Sequence, residues 1–239
     1  MTPQGNGTSD LSSWREQTRV FLQPIAAPSI LGLFGFASAT FMVAANLAGW
    51  YGNTKSPAFL FPFAAAFGGV AQFLAGMWAY RARDAVATAM HGMWGSFWIA
   101  YGVLNLLGAL HVLVLPADKF PELGFWFLTL AAITVAGFLA SLAESAGLAA
   151  VLGSLAVGSA LLAVHYLVGG LGWQHAGGWV LIASSIAAFY TATALMLEST
   201  FGRVLLPLGK PRPEANKPGA VFTRPIEFEH GEPGVRQGQ

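Results

Sequence analysis

The residues of this chain that could do chemistry are polar side chains set into long apolar stretches. The sequence holds five histidines. His91 and His111 fall at opposite ends of one stretch and His165 and His175 on two others, and imidazoles from separate helices are one way to hold a haem iron. His111, His165 and His175 can share one layer, so a haem-binding redox protein is one reading. Capping or interfacial histidines are the ordinary one. Gln72 sits mid-stretch, where an unpaired amide in hydrocarbon is costly; it either bonds a neighbouring helix or lines a pore. Asn46 and Asn105 lie nearer the ends of their stretches, where structural bonding is expected. Ser96 lacks the Gly-x-Ser-x-Gly elbow of a hydrolase nucleophile, so a hydrogen bond to a backbone carbonyl is expected instead. Glu144 and Glu198 fall at stretch ends, within reach of headgroups or basic loop residues, and call for no functional account. There is no cysteine, which removes disulfides, iron–sulfur clusters and thiolate metal sites. The sequence calls for no cofactor.

No Lys or Arg lies inside any apolar stretch, so a fixed buried counterion for an anion is missing. Partial positive charge can come instead from a helix N-terminus. Ala27-Pro28-Ser29-Ile30-Leu31-Gly32 places Pro28 at a first helical position, beside unpaired amides. Pro28, Ser29 and Gly32 therefore mark a place where an anion could be held weakly, which suits passage more than storage.

Helices must position these groups. The 239 residues are 55% hydrophobic and 10% charged, with mean hydropathy +0.57. A soluble domain carries about 25% charged residues to face water, so lipid is the solvent that fits. Six stretches reach the roughly 20 apolar residues that a spanning helix needs: 29–50, 57–80, 88–113, 123–143, 147–169 and 174–199. They are apolar on every face, unlike the alternating strands of a barrel. Turns such as Tyr51-Gly52-Asn53-Thr54-Lys55-Ser56-Pro57 and Glu144-Ser145-Ala146-Gly147 separate them, and short connections make neighbours antiparallel. The fold class read from the sequence is an all-α integral membrane protein, a bundle of six transmembrane helices. A formal net charge of +1 gives no basic face for nucleic acid. The polar, Gly-rich residues 1–10 lack the apolar region of a secretory signal.

Lys and Arg set the orientation. Six spans put Arg15, Arg19, Arg81, Arg83, Arg203, Lys210, Arg212, Lys217, Arg224 and Arg236 on one side and Lys55 and Lys119 on the other, which accounts for all 12. Both termini are thus expected in the cytoplasm, with the protein in the cell membrane. Residues 1–27 form a cytoplasmic arm in which Leu11, Trp14, Phe21 and Leu22, among polar neighbours, predict a short interfacial helix. Residues 28–200 form the transmembrane domain. Residues 201–239 form a cytoplasmic tail, expected to be extended or disordered from Pro207 onward unless a neighbouring subunit holds it. Small residues spaced by four mark close helix packing: Ala64, Gly68 and Gly76 with Gln72, then Gly92, Ser96 and Ala100, then Ala150, Ser154 and Gly158. These stripes fit contacts within a subunit and between subunits equally.

Several motifs resemble one family. Ala27-Pro28-Ser29-Ile30-Leu31-Gly32-Leu33 resembles the Asn-Pro-Ala-Pro-Leu-Gly-Leu signature of the acetate uptake transporter family, which includes the bacterial succinate–acetate permeases. The likeness continues in Phe67-Gly68-Gly69-Val70-Ala71-Gln72, Gly95-Ser96-Phe97-Trp98, His175-Ala176-Gly177-Gly178-Trp179 and Phe201-Gly202-Arg203-Val204-Leu205-Leu206-Pro207. The resemblance implies a homohexamer of six-helix subunits, each with its own path for acetate and related short carboxylates. By position, the family's apolar and aromatic constriction falls on Phe36, Trp94 and Leu155, with Gln72 lining the path. The chain departs from the family at Ala27 for Asn, at Ser29-Ile30 for Ala-Pro, at Trp94 for Tyr, at Ala79 for Glu, and at Asp84-Ala85-Val86 for Asn-Thr-Phe.

The expected function is a transporter or channel for small monocarboxylates such as acetate, with succinate as a further candidate. A sensor or scaffold on the same fold, plugged at Trp94, is the alternative, and a haem-binding redox protein is the third reading. The expected partners are a small carboxylate, the lipid bilayer and copies of the chain itself. No enzymatic activity is expected.

Overall fold

The computed structural model describes residues 25–53, 55–116 and 119–219; the expected interfacial helix of the arm lies outside them. Six long helices follow one another: α1 (Pro28–Leu47), α2 (Ser56–Ala82), α3 (Ala85–Ala109), α4 (Pro121–Ser141), α5 (Ala146–Val168) and α6 (Leu171–Phe201). No strand occurs among the described residues.

Local chemistry explains the starts and stops. Proline stands in the first turn of α1, α2 and α4, where its missing N–H costs no hydrogen bond. Asp84 caps α3 by accepting from the Ala87 amide at 2.8 Å, and Ser145 caps α5 by accepting from Leu148 at 3.2 Å. Arg83 (φ 61°) in the two-residue turn between α2 and α3, and Gly202 (φ 64°) after α6, take the left-handed conformation that ends a helix. The third stretch stops earlier than its hydropathy predicts. α3 ends at Ala109, and His111 sits in a left-handed turn.

α2 changes pitch at mid-length. Pro62 lies inside its first segment, and residues Ala65–Ala71 form a π-helical stretch that delivers the chain to Gln72. Such stretches accompany functional sites. Tight packing fixes the geometry here. A Cβ on Gly76 would lie 2.7 Å from the backbone nitrogen of Gly92 on α3, and one on Gly68 would lie 2.7 Å from Ala39 Cβ on α1. The α2 stripe is therefore used within the subunit. Ser96, Ala100 and Ala150 are exposed, so much of the other two stripes is turned outward.

α1 packs between α2 and α6, α5 between α4 and α6, and α2 against α3. The result is a ring of helices in which α1, α3 and α5 start at the same end. Five helices (α1, α2, α4, α5, α6) are long and apolar enough to cross a membrane. α3 is 25 residues long with no Asp, Glu, Lys or Arg, but its Gly, Trp, Tyr, His and Asn residues make it less apolar.

The segment after α6 departs from the expected extended or disordered tail as far as Gly219. Val204 and Leu208 are buried. The amides of Ala146 and Gly147 donate to the carbonyls of Gly209 and Leu208, each at 2.9 Å. Lys210 Nζ meets Glu198 Oε1 at 2.8 Å. Helix N-termini carry amides without internal partners, and this strap supplies two of them for α5.

Candidate functional site

The three helices that share a starting end line two cavities stacked along their length. The first, about 30 Å³, takes Ser29, Leu33 and Phe36 from α1, Met90, His91 and Trp94 from α3, and Leu148, Leu152 and Leu155 from α5. The second, about 20 Å³, continues along the same helices with Thr40, Val43 and Ala44, then Phe97, Trp98 and Tyr101, then Leu162. Trp94 and Leu155 line both. Phe36, Trp94 and Leu155, at 2%, 3% and 2% exposure, thus stand where one cavity gives way to the other.

Trp94 is fixed by its polar atom. The indole Nε1 donates to Thr134 Oγ1 at 3.0 Å, and that hydroxyl donates to the Leu130 carbonyl at 2.6 Å. The N–H is therefore spent on α4, and the ring meets Phe36 edge-on with centroids 6.5 Å apart and Phe97 at 5.5 Å. What faces the junction of the cavities is hydrocarbon and aromatic carbon.

The polar side chains of the first cavity lie beyond that ring. Gln72, buried behind the π-helical stretch, places Nε2 3.5 Å from His91 Nδ1, while its Oε1 has no hydrogen-bond partner among the described residues. The His91 ring lies flat against the α1 backbone, and a Cβ on Gly32 would sit 2.5 Å from its Cε1 and Nε2. His91 is thus neither capping nor interfacial, contrary to the ordinary expectation for its position. Gly32 is what admits it. Pro28 is buried at the first turn of α1, and Ser29 lines the cavity.

Asp84 and Glu144 complete the wall toward the charged end of the bundle. Partial desolvation, reinforced by the neighbouring Asp84 carboxylate, raises the Glu144 carboxyl to about 7, although the residue keeps an exposed face. Composition gave Glu144 and Asp84 no such place. The signal lay in their positions, since each directly precedes a helix that starts at this end. The remaining polar residues behave structurally. Ser96 Oγ donates to the Gly92 carbonyl at 2.8 Å, Asn46 to the Tyr51 carbonyl at 2.9 Å and Asn105 to the Tyr101 carbonyl at 2.8 Å. His165 Nδ1 lies 3.1 Å from the Gly170 carbonyl at the end of α5, while His111 and His175 are exposed. No cluster of three or more His, Asp or Glu with metal-binding spacing occurs among the described residues.

Comparison with known proteins gives a consistent result. The succinate-acetate/proton symporter SatP of Escherichia coli strain K12 is 28% identical over 188 residues, covering 78% of this chain and 96% of that protein. Ammonia transport outward protein 2 of Saccharomyces cerevisiae is 28% identical over 172 residues, covering 71% of this chain and 61% of that protein. A solved structure of the bacterial acetate channel SatP superposes with a TM-score of 0.72 at 27% identity, covering 78% of this chain and all of that one. The helical bundle and these matches make the chain a multi-pass membrane protein. The profile of the GPR1/FUN34/yaaH family matches residues 14–208, through all six helices to the strap at Leu208, and the chain belongs to that family.

Proposed function

We propose that the two stacked cavities are the halves of a transport path for small monocarboxylates, acetate first among them, with Phe36, Trp94 and Leu155 as its constriction. The observation that carries this reading is the division of the cavities at those three side chains. A dry aromatic ring suits a small carboxylic acid: stripping water from an ion costs far more than stripping it from a neutral acid, and larger ions lose more. Gln72 and His91 offer polar atoms to a carboxyl group waiting below the ring. Transmembrane crossing by all six helices, cytoplasmic placement of both termini and assembly as a hexamer belong to the same reading. The Lys and Arg asymmetry supports the placement, and the outward-facing small residues on α3 and α5 support the assembly. Relatives named for acetate, succinate and protons support the cargo class.

The test is flux of labelled acetate into liposomes holding the purified chain, from pH 5 to 7. Flux above empty vesicles is expected, and its absence overturns the reading. A second reading keeps the fold but closes the path, because Trp94 is pinned across it by Thr134. Trp94→Ala and Trp94→Tyr decide between the two. Both variants are expected to carry acetate at rates within about tenfold of the wild type, the range that one well-packed side chain commands. Flux in the variants alone establishes the plug.

A further inference from the structure

The wall of the first cavity holds two carboxyl groups that a path for carboxylates does not explain. Asp84 and Glu144 line the same space as Gln72, whose buried Oε1 has no partner among the described residues, and as His91. Three helix N-termini converge there: Ser29 in the first turn of α1, Asp84 as the cap of α3, and Glu144 beside the Ser145 cap of α5. Helix N-termini attract anions. Two ionised carboxylates on the same wall oppose that attraction, since like charges beside a partly dry space repel each other and an incoming anion.

We propose, resting on the path reading above, that Glu144 acts with Asp84 as a proton-operated charge filter at this mouth. With its proton on, Glu144 leaves the helix termini to draw a carboxylate toward Gln72 and His91. With the proton off, the pair turns carboxylates away.

The neighbours of Glu144 fit this role. Asp84 faces it from the turn between α2 and α3, with Arg83 in the same turn, and His91 lies deeper on α3. α1 presents Ser29, which is uncharged, and α2 presents Gln72. The strap that covers the start of α5 brings Lys210, which is ion-paired with Glu198 of α6. Asp84 is a charge that acts on Glu144 among the described residues, and it acts to hold the proton. Burial works in the same direction, so the group changes charge near pH 7 and the ionised, repelling form grows as pH rises through that value.

The experiment compares acetate flux in liposomes, with equal pH on both faces, between the wild type and Glu144→Gln from pH 5.5 to 8.5. The fraction of acetate that is protonated falls alike for both proteins, so the ratio of the two fluxes isolates Glu144. If only the protonated filter admits cargo, that ratio climbs about tenfold between pH 6 and 8. Glu144→Ala must repeat the climb. Asp84→Asn, which keeps a capping side chain on α3, should move the decline of flux in the Glu144-bearing chain to lower pH. A ratio that stays constant with pH overturns the filter while leaving the path intact. Absence of acetate flux in every protein overturns the path reading and the filter with it.

Discussion

A single hydrogen bond determines what Trp94 shows to the cavities. Its N–H is held by Thr134, so the ring presents carbon. Thr134→Val leaves that buried donor without a partner, at a cost of about 1–3 kcal/mol. The same change in a Trp94→Phe background has no indole N–H to strand and should cost less. Thermal midpoints of the four proteins in detergent measure the difference, and equal costs in both backgrounds would refute the bond's contribution. The sequence marks Trp94 through its resemblance, yet it does not reveal Thr134, 40 positions away on another helix. Glu144 and His91 were hidden for a related reason. Hydropathy puts both near span ends, where polar residues ordinarily meet headgroups. Only packing reveals that Gly32 opens a slot for the His91 ring and that Glu144 lines the cavity.

Gly76 and Gly92 face each other across α2 and α3, but their hydrogens point differently. A methyl group on Gly76 would strike the Gly92 backbone at 2.7 Å, whereas one on Gly92 would meet nothing within 4 Å. Gly76→Ala should therefore destabilise the bundle by about 1–3 kcal/mol, since backbone cannot yield as a side chain can. Gly92→Ala should leave the thermal midpoint unchanged or raised. Similar losses in both variants would count against this packing. The sequence shows small residues at four-residue spacing without their directions, so it singles out both glycines and cannot rank them. Helix positions were more legible. The starts of all six helices fall within three residues of where the apolar stretches begin, because Pro, Asp and Ser mark five of the starts chemically and Gly170 precedes the sixth. The end of α3 was not legible, since the apolar residues after Ala109 continue past the left-handed turn at His111.

The outside of the molecule is as apolar as a lipid-facing surface must be. On α2 alone, Phe59, Phe63, Trp78 and Tyr80 are 73%, 70%, 57% and 67% exposed. With small residues also turned outward on α3 and α5, helices of neighbouring copies can approach closely. The hexamer reading predicts a protein mass near six times 25.1 kDa in mild detergent, measured by light scattering with the detergent contribution subtracted. A monomer mass under those conditions counts against it. The strap after α6 gives this architecture an order of events. A chain is made from its N-terminus, and domains fold as they emerge. The amides of Ala146 and Gly147 take their partners from residues 208 and 209, so α5 stays incompletely capped until the last helix has been synthesised. Its start also carries Glu144. The mouth of the bundle is consequently the last part to be finished, and a nascent chain can have all six helices in place before its proposed filter takes shape.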